Sequence, residues 1–132
     1  MRHSVPFVAF LRLVGLAAVL SLASVAARAE MRLVMAEQAG CAYCERWDQE
    51  IAHIYPKTAE GQSAALQRID IHDPLPDGLT LTRPLIFTPT FVLTVDGIEV
   101  GRIEGYPGED FFWGLLAQLI EQNIVENNGE TG

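Results

Sequence analysis

Cys41 and Cys44 are the only cysteines in the chain, and they stand three residues apart in Gly40-Cys41-Ala42-Tyr43-Cys44. A thiol pair at this spacing can be a redox couple, half of a metal site or a structural staple. As a staple it is poorly placed, because a bridge across two intervening residues closes a very short loop and removes little entropy from the unfolded chain. As a metal site it is short of ligands. A structural zinc takes four, and beyond residue 29 only His53 and His72 could join the thiols. His53 is twelve residues past Cys41, more than three turns along the same predicted helix. A copper relay of two thiols and His72 is the metal arrangement that remains.

The redox alternative draws on the element that carries the pair. From Cys44 the apolar residues Trp47, Ile51, Ile54 and Tyr55 follow at helical spacing with polar residues between them, an amphipathic helix that Pro56 ends or kinks. Cys41 falls at the first turn, where unsatisfied backbone N–H groups and the positive end of the helix dipole favour thiolate over thiol. Cys41 is then the exposed nucleophile. Cys44, one turn inside, is the buried thiol that resolves a mixed disulfide.

The rest of the chain reads as a small α/β domain. "MRLVMAE" (31–37) is a buried strand and "ALQRIDI" (65–71) a second one, with a polar loop or frayed turn at 57–63 between the first helix and that strand. Four prolines and Gly78 make 73–89 mostly loop, with at most one short helix. "TFVLTV" (90–95) and "IEVGRIEG" (98–105) flank Asp96-Gly97, the sharpest hairpin signal in the chain. Phe112, Leu115, Leu116, Leu119 and Ile120 mark a closing amphipathic helix from Glu109, with Glu109 and Asp110 in its first turn where the dipole favours acids. The tail after Val125 has no core to join. The expected fold is a minimal βαβ-ββα mixed sheet: two parallel strands joined by a right-handed crossover, an antiparallel hairpin, and flanking helices. Trp47 and Trp113, on apolar helix faces, are expected in the core. Arg46 is expected on a solvated face.

Pro89, in "FTPTFVL", stands immediately before a strand, where a residue without an N–H is tolerated and a cis bond is natural. With Cys41-Ala42-Tyr43-Cys44, Thr88-Pro89-Thr90, the Asp96-Gly97 hairpin and Gly105 after the last strand, the chain resembles the thioredoxin superfamily over essentially all of residues 30–125. The resemblance implies a thioredoxin-like fold and thiol-disulfide oxidoreductase activity without a cofactor. It implies catalytic roles for Cys41 and Cys44. It places a cis Pro89 beside them, with Thr88 and Pro89 facing the substrate polypeptide. Tyr43, between the cysteines, is a separate candidate for the rim of the substrate site or else a cover for apolar surface. Departures are visible. Gly40 replaces the tryptophan that thioredoxins proper carry before the first cysteine, Ala42-Tyr43 replaces Gly-Pro, and Met35 falls where a buried acid is usual. Glu37 is near enough to substitute, although a charge exposed at the strand end is the commoner role for such a residue. "EQAGCAYCERW" and "TPTFVLTVDGIEVGRIEGYPG" are most similar to the periplasmic SoxS-type thioredoxins of bacterial sulfur oxidation, whose role is to return partner thiols to the reduced state. That implies partner proteins carrying disulfides or reactive thiols, and a membrane electron donor for re-reduction.

The N-terminus agrees with an exported protein. Residues 1–12 carry Arg2 and Arg12 and no acid, Leu13 to Ala27 is an apolar run, and Ala27-Arg28-Ala29 offers small residues to a signal peptidase. The run is short of the ~20 residues of a spanning helix. A signal peptide over 1–29, a domain over 30–125 and a flexible tail over 126–132 are expected, with periplasmic localisation. The 103 residues from Glu30 onward carry 6 basic and 17 acidic side chains, a net charge near −11. Nucleic acid is excluded as a partner class, since binding it needs a basic surface. A disulfide donor running the same steps backwards, or a copper carrier, are the competing functions.

Overall fold

The computed structural model describes residues 28–129, with side chains described through Ile124. Most of the expected signal peptide, residues 1–27, and the last three residues of the expected tail lie outside the described residues. Among the described residues no helix is long and apolar enough to cross a membrane.

Four strands form one mixed sheet in the order β2-β1-β3-β4: β1 (Met31–Glu37), β2 (Ala65–Asp70), β3 (Thr90–Val95) and β4 (Ile98–Glu104). β1 pairs with β2 in parallel, Leu33 opposite Leu66, and with β3 antiparallel, Val34 opposite Val92. β3 and β4 form the antiparallel hairpin, with an irregularity between Leu93 and Thr94. Five of the six β3 residues are buried, as a central strand requires. At the hairpin tip Asp96 and Gly97 both take positive φ, 51° and 80°, the pairing that a two-residue primed turn requires. Gly97 is required twice over, because a Cβ there would lie 2.1 Å from the Gly78 carbonyl oxygen.

Three helices flank the sheet: α1 (Ala42–Trp47), α2 (Ala59–Ser63) and α3 (Glu109–Gly129). The first departs from expectation. The apolar spacing predicts one α-helix from Cys44 to Tyr55. Instead α1 widens into a π-helical stretch at Asp48–Ala52 and is followed by a 3₁₀ turn at Tyr55–Lys57 that contains Pro56. The widening keeps Trp47, Ile51 and Tyr55 all buried. The segment 57–63, expected as loop, holds α2. Its N-cap is Thr58, whose hydroxyl oxygen accepts from Gly61 N at 3.0 Å. The last helix runs through Gly129, beyond the predicted end of the domain at 125, since no proline or glycine interrupts residues 115–128.

One aromatic cluster joins the layers. Trp47 packs against Phe91 of β3 (ring centroids 5.3 Å apart) and edge-on to Phe112 of α3 (5.9 Å), and Phe91 meets Phe112 at 4.9 Å. Trp113 is partly buried and stacks on Tyr55 at 6.1 Å. Cys41, Cys44 and Tyr106 belong to the same buried cluster, so the cysteine pair sits on the roof of the core.

Candidate active site

The turn after β1 and the start of α1 carry the cysteines, and Gln38 in that turn ties them to Thr88 at the entry to β3. Gly40 takes φ +75° and turns the chain after β1, which sets Cys41 at the N-cap of α1. The backbone N–H of Cys44 points at the Cys41 sulfur, 3.2 Å away. The sulfur thus occupies the place of a capping oxygen, on the end of the helix that favours negative charge. The two sulfurs are bonded to each other across a Cα–Cα separation of 5.2 Å. Cys41 retains 9% of its surface and Cys44 4%. The exposed Cys41 expected from sequence is therefore nearly as covered as its partner in this disulfide form, because both sulfurs lean on the aromatic core.

The Thr88–Pro89 peptide bond is cis. Pro89 is buried and Thr88 half-buried. The Pro89 carbonyl accepts from Gly105 N at 2.7 Å, which extends the β3–β4 pairing past Glu104. The Thr90 hydroxyl donates to the Phe87 carbonyl at 2.7 Å and turns the chain into the strand.

Gln38, a residue the sequence analysis passes over, joins these segments. Its main-chain oxygen accepts from Cys41 N at 3.3 Å, and its side-chain amide donates to Thr88 Oγ1 at 2.8 Å. Its other amide atom meets His72 Nε2 at 2.9 Å. His72, a metal candidate on sequence alone, faces Gln38 through that ring nitrogen. His53 is exposed. Among the described residues no three His, Cys, Asp or Glu side chains are grouped to hold a metal.

On the other flank Tyr106, just after β4, donates to Glu50 Oε2 at 2.5 Å, and Glu50 also accepts from Arg46 at 2.9 Å. The bond from Tyr106 and that from Arg46 hold the Glu50 carboxyl below its ordinary range. Burial and the Glu50 carboxylate push the Tyr106 phenol up. The Arg46 guanidinium lies over the Tyr106 ring at 5.8 Å. Arg46 remains exposed, but it braces the helix.

Glu37 does not point to the cysteines. It pairs with Arg68, which also donates to Asp48 Oδ1 at 2.7 Å and lies 5.9 Å from the centre of the Trp47 ring. These bonds push the Arg68 guanidinium up, led by the one to Glu37. This trio ties the ends of β1 and β2 to the π-helical stretch behind the site.

A buried ion pair holds the loop that leads to Thr88. Arg102 and Glu99 of β4 bond at 2.6 Å, with side chains 4% and 2% exposed. Glu99 accepts from Thr82 N at 2.7 Å, and Arg102 donates to the carbonyl of Arg83 at 2.9 Å. Burial works to raise the Glu99 carboxyl, but the bonds from Arg102 and Thr82 outweigh it and the group stays lowered. Beyond this anchor Ile86 and Phe87 are exposed, as is Tyr43 between the cysteines.

No protein-family model matches the chain, and no curated protein matches it. A solved structure does: the periplasmic thioredoxin SoxS from Paracoccus pantotrophus, in its reduced form, is 62% identical, with a TM-score of 0.70 over 71% of this chain and 99% of that one. The chain belongs to the thioredoxin family. Its four-stranded mixed sheet with flanking helices is the thioredoxin-like fold, and its Cys41–Cys44 pair is that of a thiol-disulfide oxidoreductase. In this thioredoxin a half-buried glutamine and an exposed histidine lie on the β1 side of the site. Gln38 carried no sequence signal, because its partners His72 and Thr88 are 34 and 50 residues away.

Proposed function

We propose that this thioredoxin is a periplasmic reductase of protein disulfides, serving sulfur oxidation and recharged by a membrane electron donor. The observation that carries the dithiol chemistry is the cap geometry: the Cys44 N–H on the Cys41 sulfur stabilises negative charge on the first sulfur of the pair. The direction of transfer is supported by the 62% identity to a periplasmic thioredoxin. Cys41 is the nucleophile. Its thiolate attacks a partner disulfide, forming a Cys41–partner bond and releasing the partner's other sulfur as thiolate, which takes a proton from water. The Cys44 thiolate then attacks the Cys41 sulfur. The Cys41–Cys44 bond closes and the second partner thiolate leaves, so two electrons have passed to the partner. Thr88 and Pro89 supply the backbone against which the partner segment lies, and Tyr43 forms part of the rim. The relative's reduced state and the disulfide here are the two ends of such a cycle. Export is supported by the signal-peptide pattern ending at Ala29 and by the periplasmic location of the relative.

Titration of the chain from Glu30 onward against glutathione tests the direction of transfer. A potential near the about −270 mV of a reducing thioredoxin supports the reading, and one near the about −120 mV of a strong oxidant overturns it in favour of a disulfide donor. Cys44→Ser should accumulate mixed disulfides with periplasmic proteins and Cys41→Ser few. Equal trapping by the two would remove the division of labour.

A further inference from the structure

We propose that Gln38 is a positioning residue of the thiol-disulfide reaction, setting the Thr88 wall of the site relative to Cys41, with His72 fixing its amide. The inference rests on the oxidoreductase activity of the pair and adds a residue to it.

The register of the sheet brings the three side chains together. Glu37 is opposite Asp70 at the end of the parallel β1–β2 pairing, and Ile71 N still donates to the Glu37 carbonyl at 2.9 Å. Gln38 and His72 therefore leave the sheet side by side. His72 is held in turn, its backbone N–H donating to Asp70 Oδ1 at 2.8 Å. A primary amide has a donor end and an acceptor end. With Nε2 donating to Thr88 Oγ1, Oε1 is left facing His72 Nε2, which donates if it carries the ring proton. His72 thereby selects the amide orientation that grips Thr88. The same residue receives the Cys41 N–H on its main-chain oxygen. One residue thus spans the turn bearing the attacking sulfur and the strand entry that would receive a partner.

Attack on a disulfide needs the three sulfurs in line, so a partner held at Thr88 must present its bond at a set distance from Cys41. A small disulfide that does not lie along Thr88 has no such requirement. Losing Gln38 should weaken capture of a protein disulfide without changing the chemistry of the sulfurs.

The test uses the chain from Glu30 onward with two disulfides, insulin and the small aromatic 5,5′-dithiobis(2-nitrobenzoate). Gln38→Ala should raise KM for insulin about three- to tenfold, the worth of a lost hydrogen bond. It should leave kcat for insulin and the rate with the small disulfide within about twofold. Gln38→Glu can accept from the Thr88 hydroxyl and from His72, and should bring KM most of the way back to that of the unsubstituted protein. His72→Ala, at an exposed position, should give a smaller rise of the same sign, and it decides the matter if Gln38→Ala does not fold. An unchanged KM for insulin in both alanine variants overturns the proposal. So does an equal loss with both disulfides, which would place the effect at the sulfurs. Failure of the unsubstituted protein to react with the small disulfide would instead overturn the oxidoreductase reading itself.

Discussion

The Cys44 N–H lies 3.2 Å from the Cys41 sulfur, so the first cysteine of the pair is also the cap of the helix that bears the second. The relationship is unequal. Among the described residues Cys44, inside the first turn, receives no comparable bond, while Cys41 has the amide, the dipole end and the larger remnant of exposed surface. In the Cys44→Ser protein, the rate of iodoacetamide alkylation at Cys41 should therefore reach half its maximum below the about pH 8.5 of a free thiol. Cys44 in the Cys41→Ser protein should show no such shift. A midpoint for Cys41 at or above the free-thiol value would detach the cap geometry from reactivity.

The Glu99–Arg102 pair makes stability depend on acid. The folded-state pKa of Glu99 is lowered, so the pair's contribution is fully present above the unfolded carboxyl's value near 4.5 and is lost as pH falls through the lower folded value. Thermal midpoints should hold down to about pH 4.5 and then drop. Glu99→Gln should flatten that part of the profile. At neutral pH it should also cost about 1.5–3 kcal/mol, the worth of hydrogen bonds to a charged group, because Arg102 keeps only Glu104, at 3.6 Å, as an anion. Replacing both residues with apolar ones of similar volume should cost much less. A neutral-pH loss under about 1 kcal/mol for Glu99→Gln would mean that Glu104 or water takes over the pairing of Arg102.

Gly61 sets helix propensity against packing. Alanine is favoured over glycine in a helix by about 1 kcal/mol, and α2 is short and polar. A Cβ at Gly61, however, would lie 1.8 Å from the Tyr55 carbonyl oxygen and 3.1 Å from the Pro56 Cα. Those are backbone atoms of a turn already pinned by Tyr55, whose hydroxyl donates to the Ala64 carbonyl at 2.7 Å. Gly61→Ala should therefore destabilise, by about 1–3 kcal/mol in urea unfolding, as overpacking does. A neutral or stabilising outcome would show that the turn yields freely.

What could be read from the sequence follows from how local each signal is. The cysteine spacing, Asp96-Gly97 and Thr88-Pro89-Thr90 are contiguous, and each carries its own steric or chemical reason. The strands were legible because β1 and β3 are apolar runs bounded by turns. The π-helical widening was not, since Cys44, Trp47, Ile51 and Tyr55 suit an α-helix equally well and only the packed core selects the wider turn. Nor was α2, whose one buried residue is a glycine. Glu99 and Arg102 lie on an edge strand where charges normally face water. They are buried because the Thr82–Pro84 segment folds over them, a tertiary contact 17 to 19 residues away.

The exposed apolar rim gives the last test. Tyr43, Ile86 and Phe87 are 59%, 73% and 57% exposed, and each adjoins a residue of the site or its approach in sequence. The fold makes little use of these side chains. The bond that shapes the turn at Phe87 uses its main-chain carbonyl, which a substitution leaves in place. Phe87→Ser and Tyr43→Ser should accordingly change unfolding free energy by no more than about 0.5 kcal/mol, the range of ordinary surface replacements. If a partner segment covers the rim, each loses apolar contact on binding. Full burial of a Phe side chain is worth about 1.5–3 kcal/mol, and partial cover corresponds to a rise in KM for a protein disulfide of about tenfold or less. The rate with a small disulfide should be unchanged. Reduced stability with an unaltered KM would assign these side chains to the fold instead, and would move the partner's path away from Phe87 and Tyr43.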